Sequence, residues 1–134
     1  MNRTDSAMNK QVISTQTAPS AIGPYSQAIR AGNFLFVSGQ IAIDPATGQL
    51  IEDKSIQAQT RRVLQNLIAI VIAAGGSADS IVKTTVFLRD MGDFAEMNAI
   101  YGQFFRSSPP ARATIEAARL PRDVSVEIDC IAFI

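Results

Sequence analysis

The chain has 134 residues, 47% of them hydrophobic and 18% charged, with 12 Lys and Arg against 12 Asp and Glu. That is one domain large enough to bury a core, and its zero formal net charge gives no electrostatic case for nucleic acid or an anionic membrane as partner. It has no histidine and a single cysteine, Cys130, which removes His-based triads, His metal ligands, Cys-rich metal sites and an intrachain disulfide together.

Residues 1–10, Met1 to Lys10, are polar and lack an apolar segment, so they read as a loose extension rather than a secretory signal. No apolar run is long enough to span a bilayer, and the cytoplasm is the default compartment. The domain is expected over residues 11–134. Gln11 to Ser14 is a short strand candidate, followed by a loop ending in Ala21-Ile22-Gly23-Pro24-Tyr25, where Gly23-Pro24 is turn chemistry. Ser26 to Arg30 and Asn33 to Val37 read as strands around the hairpin turn Ala31-Gly32-Asn33. Ser38-Gly39-Gln40 ends the second strand. Gly39 fits either a β-bulge or a place where a ligand approaches the backbone closely. Asp44-Pro45-Ala46-Thr47-Gly48 is a turn-rich connection.

Ser55 is placed to cap a long helix. Ile56, Thr60, Val63, Leu64, Leu67, Ile70, Val71 and Ala74 follow the helical period, with Gln57, Arg61, Arg62, Gln65 and Asn66 on the other side. Gly75-Gly76 ends it. Ile81 to Arg89 reads as a strand with apolar residues on both faces. Asp93 is placed to cap a second helix whose Phe94, Met97, Tyr101, Phe104 and Phe105 point to the core, with Asn98 at the rim.

Pro109-Pro110 fixes an extended start for the next strand. Arg112, Thr114 and Glu116 share one of its faces. The sequence continues through Leu120-Pro121-Arg122-Asp123, a tight turn, into a last strand. There Val124, Val126, Ile128, Cys130, Ala132 and Ile134 form one apolar face, and Ser125, Glu127, Asp129, Ile131 and Phe133 the other. Cys130 reads as a buried, inert thiol. On the pattern alone, Arg112 and Glu127 read first as a cross-strand ion pair worth under ~1 kcal/mol. The alternative is chemical: Arg112 is a planar fork suited to a carboxylate, and Glu127 can hold or deprotonate water. The order β-β-β-α-β-α-β-β gives an α+β domain, a single sheet with two helices on one face. Another copy of the chain is the economical cover for the second face.

Five stretches, Ala21-Ile22-Gly23-Pro24-Tyr25-Ser26-Gln27-Ala28, Phe36-Val37-Ser38-Gly39-Gln40-Ile41, Ile81-Val82-Lys83-Thr84-Thr85-Val86-Phe87, Pro110-Ala111-Arg112-Ala113-Thr114 and Glu127-Ile128, stand in this order. Together they resemble the RidA (YjgF-like) reactive intermediate deaminases from about Val12 to Ile134. The resemblance implies a chorismate-mutase-like fold with a mixed sheet in a homotrimer, and Ile81 to Arg89 lying between the two closing strands. It implies hydrolysis of enamines and imines, such as 2-aminoacrylate, to a 2-keto acid and ammonia, with no metal or organic cofactor. The family's essential Arg falls on Arg112, its acidic partner on Glu127, its site Tyr on Tyr25 and its site Asn on Asn98. Ser38, Gly39 and Thr114 join these as substrate contacts. Some members carry Cys where this chain has Thr114, so thiol chemistry at that position is not carried over. A non-catalytic binding module for 2-keto acids is the rival reading. A ribonuclease is a third, disfavoured by the neutral charge and missing histidine.

Overall fold

The hydrophobic periods become two layers in the computed structural model, which describes residues 9–134. The extension expected over residues 1–10 lies outside the described residues as far as residue 8, and Lys10 already belongs to the first strand. The six-stranded sheet contains β1 (Lys10–Ile13), β2 (Ala28–Ala31), β3 (Phe34–Gln40), β6 (Ile81–Leu88), β7 (Ala111–Glu116) and β8 (Val126–Phe133). Its spatial order is β1-β2-β3-β8-β6-β7, with only the β6–β7 pair parallel. A small ribbon of β4 (Ile43–Asp44) and β5 (Gln49–Leu50) stands apart. Helices α1 (Ile56–Ala73) and α2 (Phe94–Phe104) complete the fold. The β2–β3 hairpin turns at Gly32, whose φ of 61° favours glycine. The Leu-Pro-Arg-Asp turn does not pair the strands on either side of it, because β6 lies between β7 and β8. A parallel β6–β7 pair needs a crossover, and α2 supplies it.

Ser55 caps α1 by accepting from the Ala58 amide at 3.2 Å. Ile56, Thr60, Val63, Leu64, Leu67, Ile70 and Val71 are buried, as their spacing predicts. Asn66, expected on the polar side, is also buried. Its Nδ2 donates to the carbonyls of Ile41 and Ile43 at 3.2 and 3.0 Å, and its Oδ1 accepts from Arg62 at 3.1 Å. A buried amide is tolerated when it is bonded in this way, and here it anchors the chain just after β3. Gln59 does the same for β8, accepting from the Ser125 amide at 2.9 Å. The Thr60 hydroxyl, by contrast, is buried without a partner among the described residues. Thr60→Val keeps the branched shape and removes that unpaired group, so it is expected to stabilise the fold by about 1 kcal/mol, read as a higher denaturation midpoint.

Helix α2 departs from its sequence reading twice. Asp93 stands at the capping position but makes no capping bond, because a 3-10 turn over Met91–Asp93 runs directly into the helix and Asp93 lacks the extended backbone of a cap. Asp90 caps that turn instead, accepting from the Gly92 amide at 2.8 Å. Met97, Ile100 and Tyr101 are buried, but Phe94 is exposed at the helix start rather than in the core.

Both helices lie on one face of the sheet. The opposite face carries Val12, Phe34, Phe36, Ile115 and Phe133, each 45–59% exposed. Phe34 and Phe133 are register partners packed edge to face at 5.5 Å.

Candidate active site

Side chains alternate faces along a strand, so register decides which groups can meet. Arg112 is the partner of Thr84 on β6, and Glu127 is the partner of Phe87. Positions 84 and 87 differ by an odd number, so Arg112 points to the helix face and Glu127 to the open face. The cross-strand ion pair is therefore absent, and six of the seven candidate residues fall into two groups, with Thr114 in neither.

The first group sits at the end of β3. Between Val37 and Gln40 the register with β8 slips, so that Ser38 and Gly39 together oppose Asp129. This is a β-bulge, and it turns the strand end towards Glu127. The Ser38 amide donates to the Gln27 carbonyl at 2.9 Å, and its hydroxyl to the Ser26 carbonyl at 2.6 Å. A Cβ at Gly39 would overlap the Glu127 carboxylate, so a larger residue here would push that side chain out of its present position. The β-bulge reading of Gly39 holds, and the group that approaches its backbone closely here is the Glu127 side chain. Tyr25 follows a turn at Gly23, and its hydroxyl accepts from the Ile22 amide at 3.2 Å. That leaves the phenolic proton free to donate. Tyr25, Ser38, Gly39 and Glu127 line one cavity of about 590 Å³, with Ile22 and Ile41 among its apolar walls.

Glu127 is half-buried. Burial, and secondarily the neighbouring Asp129 charge, holds its carboxyl above the usual glutamate range. Gln27, to which the sequence reading gave no role, also lines this cavity. It is buried, accepts from the Thr15 amide at 2.7 Å and donates to the Pro19 carbonyl at 2.7 Å. A polar residue just ahead of an apolar strand was the available signal.

The second group forms where β7 meets α2. Arg112 Nη1 donates to Asn98 Oδ1 at 2.7 Å. Its Cζ lies 4.7 Å from the centre of the Tyr101 ring and 5.5 Å from that of Phe94. Phe94, Asn98 and Tyr101 are spaced i, i+4, i+7, one helical stripe. The sequence pattern reads Phe94 and Tyr101 as core and puts Asn98 at the rim, and only the resemblance makes Asn98 a site residue. Arg112, Asn98 and Tyr101 line a second cavity of about 390 Å³. The one ion pair among the described residues is Arg119–Asp123, so no carboxylate there neutralises Arg112. Thr114 is in register with Val86, on the face of Arg112, and lines neither cavity.

Cys130 is buried, and burial, followed by the Asp129 charge, pushes its thiol up to about 12. A thiol so rarely ionised does not react at neutral pH. Iodoacetamide is therefore expected to leave activity unchanged. Inactivation in step with carboxymethylation of Cys130 would contradict this.

The family model described as Endoribonuclease L-PSP matches residues 15–134. A RutC family protein of Pyrococcus horikoshii is 55% identical over 92% of this chain and 98% of its own length. The protein named Reactive Intermediate Deaminase A, chloroplastic, of Arabidopsis thaliana is 45% identical, over 95% of this chain and 67% of its own length. Among solved structures, E. coli TdcF with bound serine superposes with a TM-score of 0.88 at 46% identity, covering 92% of this chain and 98% of that one. The chain belongs to the RidA (YjgF-like) family, whose fold it shares. No helix among the described residues is long and apolar enough to cross a membrane.

Proposed function

We propose that this protein hydrolyses 2-imino acids and their enamine tautomers to 2-keto acids and ammonia, without a metal or organic cofactor, in a site assembled between copies of the chain. The observation that carries this reading is Arg112, a half-exposed guanidinium whose partners are all neutral: an amide oxygen and two aromatic faces. Such a cation keeps its charge for an incoming carboxylate and offers it a planar fork. The relative named as a reactive intermediate deaminase supports the reaction class. The serine held by TdcF supports a ligand with an α-carboxylate.

The chemistry uses the two groups together. Arg112 of one copy holds the substrate carboxylate and fixes C2. Glu127 of an adjacent copy takes a proton from water as its oxygen bonds to C2. Starting from the protonated imine, this gives a tetrahedral carbinolamine; Glu127 passes the water proton to its nitrogen, the C–N bond breaks, ammonia leaves, and Glu127 takes the hydroxyl proton as the C2 carbonyl forms. Tyr25 donates a hydrogen bond, and the bulge at Ser38-Gly39 offers backbone groups. Imines already hydrolyse in water, so orientation and proton transfer are sufficient tasks.

The test is a coupled assay. A pyridoxal-phosphate dehydratase or an amino-acid oxidase generates the imine, and semicarbazide competes for it. Faster keto-acid release with less semicarbazone supports deamination. Saturable carboxylate binding without faster imine decay would make the protein a binding module instead. The ribonuclease reading has less support, since the chain has no histidine and no net positive charge.

Glu127 gives a pH signature. It acts as a base only when ionised, and burial makes it ionise later than an ordinary glutamate. The rate should therefore fall as pH drops through a midpoint above the usual glutamate value, and Glu127→Gln should abolish that limb. Stability moves the other way. The folded state binds this proton more tightly than the unfolded chain, so ionisation costs stability as pH rises through the folded pKa. Glu127→Gln should raise the melting temperature at neutral pH while lowering the rate.

A further inference from the structure

The Arg112 clamp is itself held from below. Tyr101 and Thr84 share a buried hydroxyl–hydroxyl hydrogen bond of 2.7 Å. Thr84 is the residue on β6 directly in register with Arg112. The Tyr101 ring lies under the guanidinium at 4.7 Å, and Phe105 packs against the same ring at 4.7 Å. A closed circuit results: strand register fixes Thr84 against Arg112, Thr84 fixes the tip of Tyr101, and the Tyr101 ring fixes the plane of Arg112. Asn98, one turn earlier on α2, accepts through its Oδ1 from one guanidinium nitrogen. The remaining N–H groups stay available.

We propose that Tyr101, tethered by Thr84, is a positioning residue that orients the Arg112 guanidinium for carboxylate binding. This deepens the functional reading above and rests on it for the identity of the ligand. The physical reason is entropic. An arginine side chain is among the costliest to immobilise, and a ligand binding a mobile fork must supply that ordering at the moment of binding. An aromatic face restrains the planar group without neutralising it. The hydroxyl tether keeps the face in place while touching no ligand.

The experiment uses Thr84→Val, Tyr101→Phe and Tyr101→Leu in the full-length protein. The first readout is 15N relaxation of the Arg112 Nε–H, which needs no substrate. Its order parameter should fall in Thr84→Val and Tyr101→Phe, and reach the flexible range, below about 0.6, in Tyr101→Leu. The second is titration with pyruvate, a 2-keto acid of the product class. Thr84→Val should weaken it roughly tenfold, the equivalent of one neutral hydrogen bond. In an Arg112→Ala background the same substitution should change pyruvate affinity by less than about twofold, because there is no guanidinium left to orient. A residue that merely supports the fold would cost the same in both backgrounds. An unchanged Arg112 order parameter in the variants, or equal loss with and without Arg112, overturns the proposal. If the unaltered protein binds no pyruvate, the functional reading is what fails, and the relaxation measurement alone decides the positioning role.

Discussion

Replacing Arg112 by alanine is expected to lower kcat/KM for imine hydrolysis by about one to two decades, the equivalent of losing a charge-assisted bidentate contact of about 1.5–3 kcal/mol. The fold should survive. Arg112 stands on β7, an edge strand, and its only hydrogen-bond partner among the described side chains is Asn98, which is exposed and can turn to water. Truncation therefore strands no buried charge, the situation that makes such changes destructive elsewhere. Arg112→Lys should lose nearly as much, since an ammonium cannot reproduce the planar fork. Steady-state rates in the coupled assay, with circular dichroism and a melting curve beside them, separate catalysis from stability. Turnover by the alanine variant close to that of the unaltered protein would return Arg112 to a structural role.

The second large effect concerns assembly. Light scattering should give a mass three times the 14.4 kDa of one chain, down to low micromolar concentration. The reason is the uncovered sheet face. Phe34, Phe36 and Phe133 stand side by side on β3 and β8, and each is close to half exposed. Leaving such area wet forgoes roughly 25 cal/mol for each Å². Phe36→Glu, which puts a charge where the face would be buried, should release monomers. Activity should go with it, because in one chain the Arg112 and Glu127 groups occupy opposite faces of the sheet. Refolding Arg112→Ala together with Tyr25→Ala should raise the rate above that of either impaired variant alone, since some clefts would then receive Arg112 from one chain and Tyr25 from the other. A stable, active monomer would sink the assembly argument. An intact trimer without complementation would place Arg112 and Tyr25 of each site on the same chain.

The difference between what the sequence displays and what it hides is physical. The stripe of α1 was legible because apolar burial repeats with the helix. Asn66 and Gln59 were not, because their partners lie on distant segments, at Ile41, Ile43 and Ser125. Strand faces were legible within β7 and within β8, yet the relation between them was not. It depends on how each registers against β6, and no local pattern encodes that offset. Resemblance placed β6 between them, but not Arg112 and Glu127 on opposite sides. The aromatic bed of Arg112 was half visible: the spacing of Phe94, Asn98 and Tyr101 marks one stripe, and only tertiary contact shows that part of it faces a cation.

The position of β8 has a consequence for how the domain comes together. It is the last strand of the sequence, yet it sits in the middle of the sheet, between β3 and β6. Until it arrives, the N-terminal hairpin and the crossover unit of β6, α2 and β7 are two separate half-sheets, each with an unsatisfied edge. The Arg112 clamp is local to the second half and can form early. The Glu127 cavity cannot exist until the final strand threads between the halves. Cooperativity is thereby placed at the C-terminal end: the contacts with the greatest sequence separation close last, and the chain stays vulnerable to edge-to-edge misassembly until they do.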